Sequence, residues 1–318
     1  MPFNRIAEIM RRAGAPVDRQ LVTQNFHAFC SFAEPLLGAM ESDLLESELL
    51  HVDGSFMFRH DGKRRRRCTR SPVYAICDGD QVLFRWRENE RHETAADLIT
   101  GYSGYLVRDE WEGWSSLKAD VTHIGCNAHA RRYFATNQDD VDARAMVHLY
   151  AKLYAVERSG LHGTVFTQHR LELRRRHSVA IMDEIHARAV AIVATRTGKM
   201  ASSARYIIKH RAELRRFLDN GSLPPDNNLA ERVLRRHAML RNNRRFFVAE
   251  NGGSNLATAL SLTGSCRLLD LSPMAYLQAV LPVLFEHRRA KKLGLALPDL
   301  RPWTPAAYAR QQNQVLAA

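Results

Sequence analysis

Three acidic residues lie at positions where a protein commonly presents reactive groups. Asp53 follows the apolar run in "ELLHVDGS", Asp109 follows the run in "GYLVRDE", and Glu231 lies within "LPPDNNLAERVLRR". Carboxylates at strand ends are well placed to bind a hard divalent cation. Each aspartate alone also suits a turn, and Glu231 also suits an i,i+4 ion pair with Arg235. The residue types therefore allow either a metal site or local structure.

The surrounding pattern predicts strands before the two aspartates and a helix around the glutamate. Five strands are predicted, over "ELLHVDGSFMF", "SPVYAICDG", "QVLFRWRE", "YLVRDE" and "DVTHIGC". Short helices are predicted over "ETAADLITGYSG" and "WEGWSSLKA", and apolar residues at helical spacing predict helices over residues 3–50 and 127–220. These elements predict a mixed α/β sheet with a large helical block.

The helix that carries Glu231 has a clear predicted start. Pro224 and Pro225 stop the preceding segment, and Asp226 is predicted to cap the helix. Apolar residues recur on one face of this helix and arginines on the other, with Glu231 at the border. An acid placed among arginines is the arrangement expected if a metal ion and an anionic substrate meet there.

The overall charge favours a polyanionic partner. The 318 residues include 46 Lys and Arg against 34 Asp and Glu, which gives a net charge of +12. Such a balance favours nucleic acid ahead of a membrane surface. The five scattered cysteines suggest reduced thiols and not a disulfide framework, and no apolar run reaches the length of a membrane span. We therefore expect a protein of a reducing cytoplasm without membrane contact.

The order of the three acids along the chain, together with the segments around them, resembles the pattern of a known protein family. Two strand-borne aspartates and a helix-borne glutamate, with a helical block before the glutamate, form the arrangement of a ribonuclease-H-like polynucleotidyl transferase. The chain resembles bacterial DDE transposases of the insertion-sequence-sixty-six family over roughly residues 3 to 285. The matching segments, in family order, are "LHVDGS", "GYLVRDEWEGW", "HIGCNAHARRYF", "LPPDNNLAERVLRR", "RNNRRFF" with "GGSNLATALSL", and "SPMAYLQAVL".

The resemblance implies that Asp53, Asp109 and Glu231 are a catalytic triad that binds two Mg²⁺ or Mn²⁺ ions. Asp53 would bridge both metals, and the other two acids would each hold one. Two such ions can stabilise an in-line displacement at phosphorus. The implied function is metal-dependent strand cleavage and strand transfer of an insertion element. An inactive DNA-binding remnant and a nuclease that only hydrolyses are the alternatives.

Departures from the family pattern leave the three acids in place. "DGS" stands where Glu-Thr usually follows the first aspartate, and "DEW" stands where Gly-Tyr usually follows the second. The family's N-terminal zinc-binding and coiled-coil modules have no match here. The resemblance further implies DNA ends and target as partners, a homodimer or larger assembly on DNA, accessory proteins of the same element, and a bacterial, nucleoid-associated location.

Cys126 and His129 have the CxxH spacing of zinc ligands. A structural zinc site takes four ligands, and spacing offers no argument for His123 or His237 as the others. A packed thiol and a hydrogen-bonded histidine are therefore the simpler interpretation, with zinc as the alternative.

Clustered basic residues are candidates for contact with DNA phosphates, because the guanidinium group binds phosphate through two hydrogen bonds. One cluster, "GKRRRRCTR", falls in the turn between the first two predicted strands and also suits a solvated hairpin tip. The predicted DNA contacts are Lys63, Arg64, Arg65, Arg131, Arg132, Arg232, Arg235, Arg236 and Arg241.

The segments divide into five predicted regions. They are a helical N-terminal segment with a possible helix-turn-helix outline (1–48), the first part of a ribonuclease-H-like core (49–135), a helical insertion (136–222), the completion of the core with the Glu helix (223–266), and a C-terminal helix and tail (267–318).

Overall fold

The structure is a computed structural model that describes residues 3–60, 68–88, 97–109, 114, 120–159, 166–243, 246–247 and 251–317. Its helices are α1 (Phe3–Arg12), α2 (Arg19–Leu45), α3 (Asn127–Ala135), α4 (Val141–Ser159), α5 (Phe166–Leu173), α6 (Val179–Thr195), α7 (Gly198–Lys209), α8 (Arg211–Arg215), α9 (Asn228–Asn243), α10 (Gly252–Leu268), α11 (Pro273–Leu293) and α12 (Pro305–Ala317). Its strands are β1 (Leu49–His60), β2 (Cys68–Cys77), β3 (Val82–Trp86), β4 (Gly104–Arg108), β5 (Val121–Gly125) and β6 (Phe246–Phe247).

The predicted mixed α/β class is confirmed, and each of the five predicted strands is present as β1 to β5. The helical pattern of residues 127–220 forms α3 to α8. Of the two predicted short helices, the first contains a single described turn, Asp97–Ile99. The second, over residues 111–119, lies outside the described residues except for Trp114, which is buried.

The chain divides into two compact units. The terminal unit comprises the described residues of Met1–Ser47, Gly54–Glu90 and Val233–Ala318, and the central unit comprises those of Glu48–Asp53 and Arg91–Arg232. Strand β1 begins in the central unit and ends in the terminal unit. Helix α9 likewise begins in the central unit and continues into the terminal one.

The sheet order is β3-β2-β1-β4-β5, with β6 also paired to β1. In the terminal unit β2 and β3 are antiparallel, and β6 runs parallel to β1 with Phe246 opposite Phe58. In the central unit β1, β4 and β5 are all parallel. The connections between these parallel strands must cross back over the sheet. The carboxyl ends of β4 and β5 consequently lie at one edge, whereas β1 continues beyond its pairing with β4.

Helix α10 packs closely against β3 in the terminal unit. The hydroxyl groups of Ser261 and Ser265 accept hydrogen bonds from the backbone N–H groups of Phe84 and Val82, at 2.8 and 2.9 Å. A Cβ atom at Gly253 would lie 2.5 Å from the Trp86 ring. Glycine at this position therefore permits the close approach of helix and strand.

The core of the central unit is built from β4, β5 and the helices that follow them. Helix α4 buries residues at spacings of three and four, namely Met146, Leu149, Tyr150 and Leu153, and α6 does the same with Met182, Ile185, Ala189 and Ile192. Val107 of β4 and Ile124 of β5 belong to this core. Each large apolar side chain buried here stabilises the fold by about 1.5–3 kcal/mol.

A buried arginine fixes the helical block to the segment before α9. Arg174 lies in a five-residue π-helical turn, Arg174–Ser178, between α5 and α6. Its guanidinium binds both carboxylate oxygens of Glu157, at 2.9 and 2.7 Å. It also donates to the carbonyl oxygens of Phe217, Asn220 and Leu223. The buried positive charge of Arg174 is thus balanced by the Glu157 carboxylate, and three backbone carbonyl oxygens accept hydrogen bonds from the guanidinium.

Among the described residues, none of the helices combines the length and apolar content that crossing a bilayer requires.

Candidate carboxylate and metal-binding site

Asp109 directly follows β4, whereas Asp53 lies within β1, which continues to His60, so the prediction that Asp53 ends a strand is wrong. Leu50 pairs with Leu106, and His51 pairs with Val107. Asp53 and Asp109 each follow the second pair by two residues. Neighbouring parallel strands lie about 4.8 Å apart, and residues two apart share a face. Extending this register by two residues would place Asp53 opposite Asp109; Asp53 is buried and Asp109 is half-buried.

Asn227, just before α9, ties the start of that helix to β1. It is fully buried, and its amide NH₂ donates to the carbonyl oxygen of Val52 at 2.8 Å. Its amide oxygen lies 3.0 Å from Nδ1 of His51, which therefore carries the proton. The backbone carbonyl of Asn227 also accepts from the N–H of Glu231, one helical turn later. Asn227 thus places Glu231 relative to the strand that carries Asp53.

The predicted start of α9 is found at Asn228. Asp226 accepts a hydrogen bond from the backbone N–H of Asn228 at 3.0 Å, as expected of a capping residue. Burial raises the pKa of the Asp226 carboxyl, while Tyr154 and the Asn228 N–H act in the opposite direction. Along α9, Ala230, Val233 and Leu234 are buried. The predicted division of the helix into an apolar and a basic face is therefore present.

The carboxylate of Glu231 lies next to two side chains of α3, those of Arg132 and His129. Arg132 donates to both carboxylate oxygens of Glu231, at 2.8 and 2.9 Å, and Nδ1 of His129 lies 3.6 Å from one of them. These are the ion-pair partners of Glu231 among the described residues, so the alternative pair with Arg235 is not formed. Both hydrogen bonds come from Nη2 of Arg132, so one guanidinium nitrogen bridges the two carboxylate oxygens.

Cys126, His129 and Glu231 form a compact group of possible metal ligands. One ligand atom of each lies within 4.8 Å of the others. Among the described residues, neither His123 nor His237 takes part in this group. Burial raises the pKa of the Cys126 thiol to about 12, although the backbone N–H groups of Asn227 and His129 point at its sulfur and lower it. The Asn227 nitrogen lies 3.3 Å from that sulfur.

The donor groups around Glu231 differ from those of the predicted triad. The register of β1 and β4, extended by two residues, would place Asp53 opposite Asp109, and Asn227 ties the helix of Glu231 to the strand of Asp53. Within 4.8 Å, however, Glu231 is grouped with Cys126 and His129 and not with the two aspartates.

A second network surrounds the end of β4. Arg108 is buried and donates to His123 Nδ1 at 3.0 Å, to Glu213 at 3.2 Å and to the backbone carbonyl of Asp109 at 3.2 Å. Burial, followed by the charge of Arg108, lowers the pKa of His123 to about 4. The neutral His123 ring therefore accepts the Arg108 hydrogen bond. This network fixes the backbone at Asp109.

The predicted DNA-contacting residues have different surroundings. Arg131 and Arg232 are exposed in the central unit, whereas Arg132 is occupied by Glu231. Arg235 and Arg236 are exposed in the terminal unit. Arg241, also in that unit, lies over the Phe56 ring, 4.3 Å from its centroid. Lys63, Arg64 and Arg65 lie outside the described residues.

Sequence reasoning missed Asn227 and Arg108 as residues that position the site. The side-chain partners of Asn227 lie about 175 positions earlier in the chain, so no local pattern points to them. The available signal for Arg108 was a charged residue directly before Asp109, at the end of an apolar strand.

Comparison with known proteins places these residues in a family context. The family model described as "Transposase IS66 family" matches residues 1–255. Two uncharacterized proteins of Sinorhizobium fredii are similar: y4hP, 24% identical over 95% of this chain and 59% of its own length, and y4jD, 29% identical over 88% and 59%. The chain thus spans about three fifths of the length of these curated relatives. No solved structure matches it.

Proposed function

We propose that this chain, which belongs to the IS66 family of transposases, cuts and joins DNA strands in a divalent-metal-dependent reaction. Asp53, Asp109 and Glu231 are the carboxylates of this reaction. The family supports a transposase role, and the charge of +12 suits a DNA substrate. The specific DDE chemistry is our proposal.

The observation that carries the proposal is the joint placement of the three acids. Extending the parallel register of β1 and β4 would place Asp53 opposite Asp109, and Asn227 ties the helix of Glu231 to the strand of Asp53. These two links support our proposal that the three acids share one site at the edge where β4 ends. Functional groups collect at such an edge because a rigid sheet supports the loops that carry them.

The proposed fold of the catalytic part is ribonuclease-H-like. It is supported by the strand order β3-β2-β1-β4-β5, in which β2 and β3 are antiparallel and β1, β4 and β5 are parallel. The helical block of α4 to α8 lies in the chain between Asp109 and Glu231, as the resemblance implies.

The chemistry of the acid side chains fits Mg²⁺ or Mn²⁺. Carboxylate oxygens are the ligands that these hard cations prefer, and Asp53, Asp109 and Glu231 would hold two such ions, as the resemblance implies. The ions supply charge stabilisation for an attacking and a leaving oxygen at phosphorus.

The protein's own cations would bind the substrate. Arg131 and Arg232 are exposed in the central unit, where they can receive phosphate oxygens. Arg132 reaches phosphate only by releasing Glu231, which it holds in the structure. An incoming phosphate gives Arg132 a new anionic partner and frees the Glu231 carboxylate for metal. Substrate entry and completion of the carboxylate set are thereby linked.

The proposed partners follow from the reaction. Moving an element requires both of its ends and a target, so we propose a homodimer or larger assembly on DNA. Because the chain spans about three fifths of its curated relatives, recognition of the element ends belongs to this proposal and not to the findings.

The test is cleavage and joining of labelled DNA carrying the sequences that flank the gene of this chain, with Mg²⁺ or Mn²⁺. Asp53→Asn and Glu231→Gln are compared with Asp120→Asn, which removes an exposed acid close to β5. We expect metal-dependent cleaved and joined products with the unaltered chain and with Asp120→Asn, and losses of at least ~10³-fold with the other two.

Two outcomes would contradict the proposal. Cleavage without joined product would indicate a nuclease that only hydrolyses. DNA binding without any metal-dependent product would indicate an inactive DNA-binding protein.

A further inference from the structure

We propose that Cys126, His129 and Glu231 form a binding site for a thiophilic divalent cation such as Zn²⁺, separate from the Mg²⁺ centre. The structure brings one sulfur, one nitrogen and one oxygen ligand atom within 4.8 Å of one another. Zinc bonds of about 2.0–2.3 Å to such atoms require them to lie roughly 3.3–3.8 Å apart, so small side-chain movements complete the site.

The ligands are held by a backbone arrangement that is already in place. Cys126 directly precedes α3 and His129 lies within its first turn. Glu231 lies in the first turn of α9. The two helix starts are joined because the backbone N–H and side-chain amide of Asn127 both donate to the carbonyl oxygen of Pro225, at 3.1 and 3.0 Å. The cluster therefore depends little on flexible loops.

The sulfur environment also suits a metal-bound thiolate. The Asn227 N–H donates to the Cys126 sulfur at 3.3 Å, and the His129 N–H is directed at the same atom. Such N–H groups stabilise negative charge on a thiolate and orient it as outer-shell partners do. On binding, the thiol loses its proton to solvent, and the metal takes the sulfur lone pair.

The donor set selects the class of metal. Sulfur and imidazole favour Zn²⁺ and similar borderline ions, whereas Mg²⁺ prefers oxygen ligands and keeps its waters. Three protein ligands leave a fourth tetrahedral position for water. The site therefore differs from a structural zinc site, in which four protein ligands surround the metal.

Arg132 competes with this metal for Glu231. Its guanidinium binds both Glu231 oxygens, yet the Arg132 side chain is 53% exposed and has room to swing into solvent. An ion held by Cys126 and His129 would take Glu231 from Arg132. This consequence rests on the proposed function: an occupied thiophilic site withdraws Glu231 from the Mg²⁺ centre and inhibits DNA cleavage.

The site is tested without DNA by titrating the full chain with Co²⁺, whose tetrahedral thiolate complexes show an intense near-ultraviolet charge-transfer band. We expect one such Co²⁺ per chain, displaced by Zn²⁺ but not by excess Mg²⁺. The band should vanish in Cys126→Ser and remain in Cys68→Ser, which removes an exposed cysteine. Circular dichroism shows whether each variant is folded.

If Cys126→Ser does not fold, substitutions of the other two ligands and of Arg132 still test the site. His129→Ala and Glu231→Gln should weaken Co²⁺ binding by at least the ~10–100-fold that loss of an outer-shell partner costs. Arg132→Ala should tighten it because the competing cation is gone, whereas Arg131→Ala should leave it unchanged. A chain without the thiolate band, or a band insensitive to all of these changes, would overturn the site.

Different results would reject the proposed function and the proposed metal site of Cys126, His129 and Glu231. A thiolate–Co²⁺ band in a chain that cuts no DNA would retain the site and reject the proposed function. Mg²⁺-dependent cleavage by a chain that shows no such band would do the reverse. Where both are present, Zn²⁺ at site-saturating concentration should abolish cleavage, and undiminished cleavage would reject the proposed inhibition.

Discussion

At the residue scale, Glu231 has two competing kinds of partner. In the structure its carboxylate is bound by Arg132 through two hydrogen bonds, with His129 alongside. The proposed function requires the same carboxylate to bind metal next to Asp53 and Asp109. Glu231 is half-buried, and a metal ion would have to displace Arg132 from its carboxylate.

Asn227 is predicted to determine both stability and the placement of Glu231. Asn227→Ala removes the hydrogen bonds to Val52 and His51, and leaving a buried group without its partner costs about 1–3 kcal/mol. Urea unfolding should show this loss, and the rate of Mg²⁺-dependent cleavage should fall more than DNA affinity does. The matched control is Asn228→Ala, at an exposed neighbouring asparagine. Equal stability of the two variants would contradict this role.

His123 is predicted to make the fold sensitive to acid. Its folded pKa of about 4 lies below the ordinary value near 6.5. The unfolded chain therefore binds more protons between these values, so the stability contribution of His123 is present above pH 6.5 and is lost as pH falls toward 4. This loss is on the order of 1–2 kcal/mol.

The measurement is the free energy of unfolding from pH 7 to pH 4.5. His123→Gln keeps an acceptor for Arg108 but cannot titrate, so its curve should fall less steeply than that of the unaltered chain. His148→Gln, at an exposed histidine of α4, should follow the unaltered chain. A His123→Gln curve of unchanged slope would reject the prediction.

The end of β4 before Asp109 could be predicted from the apolar run alone, whereas the continuation of β1 past Asp53 was not recognised, because Asp53 and Gly54 resemble a turn. The partners of Asn227 and the grouping of Glu231 with Cys126 depend on contacts across about 100 to 175 positions. Nothing in the local sequence specifies which residues such a long connection brings together.

At the element scale, alternation and helical spacing predicted the elements well. Strands β1 to β5 coincide with apolar or aromatic runs separated by turn residues, and α4 and α6 repeat apolar residues at three- and four-residue intervals. The two-residue strand β6 is too short to give a periodic signal. The π-helical turn at Arg174–Ser178 was also not predictable, because its sequence continues a helical pattern on both sides.

Arg174 is predicted to be the main polar stabiliser of the helical block. Arg174→Met would leave Glu157 as a buried charge without its guanidinium partner, and breaking such a pair costs about 3–5 kcal/mol. Urea unfolding should show that loss. Arg175→Met changes an exposed arginine of the same turn and should stay within about 0.5 kcal/mol of the unaltered chain. A similar small effect at Arg174 would contradict the assigned role.

At the scale of the whole molecule, the excess of positive charge predicts DNA binding that weakens steeply with salt. Each phosphate neutralised contributes about −0.9 to the slope of log K against log salt concentration. If Lys63, Arg64 and Arg65 contact phosphates, replacing all three by Gln should flatten the slope by up to about 2.7. Filter binding at several salt concentrations measures it.

The control for the salt-dependence measurement is a second triple variant that loses the same number of positive charges. Arg289, Lys291 and Lys292 near the end of α11 are exposed, and their replacement by Gln also removes three positive charges. If both triple variants alter the slope equally, the Lys63 to Arg65 segment has no particular role and is a solvated basic stretch.

The central claim, that Asp53, Asp109 and Glu231 surround one divalent-metal centre, is tested most directly by iron-mediated backbone cleavage on DNA. Fe²⁺ replaces Mg²⁺, and hydroxyl radicals generated with ascorbate and peroxide cut the polypeptide beside the ion. Using His129→Ala weakens the thiophilic site, so that cuts there do not confuse the pattern. We predict cuts near residues 53, 109 and 231 that excess Mg²⁺ suppresses together. Cuts confined to other segments, or three sites that Mg²⁺ does not suppress together, would contradict a shared centre.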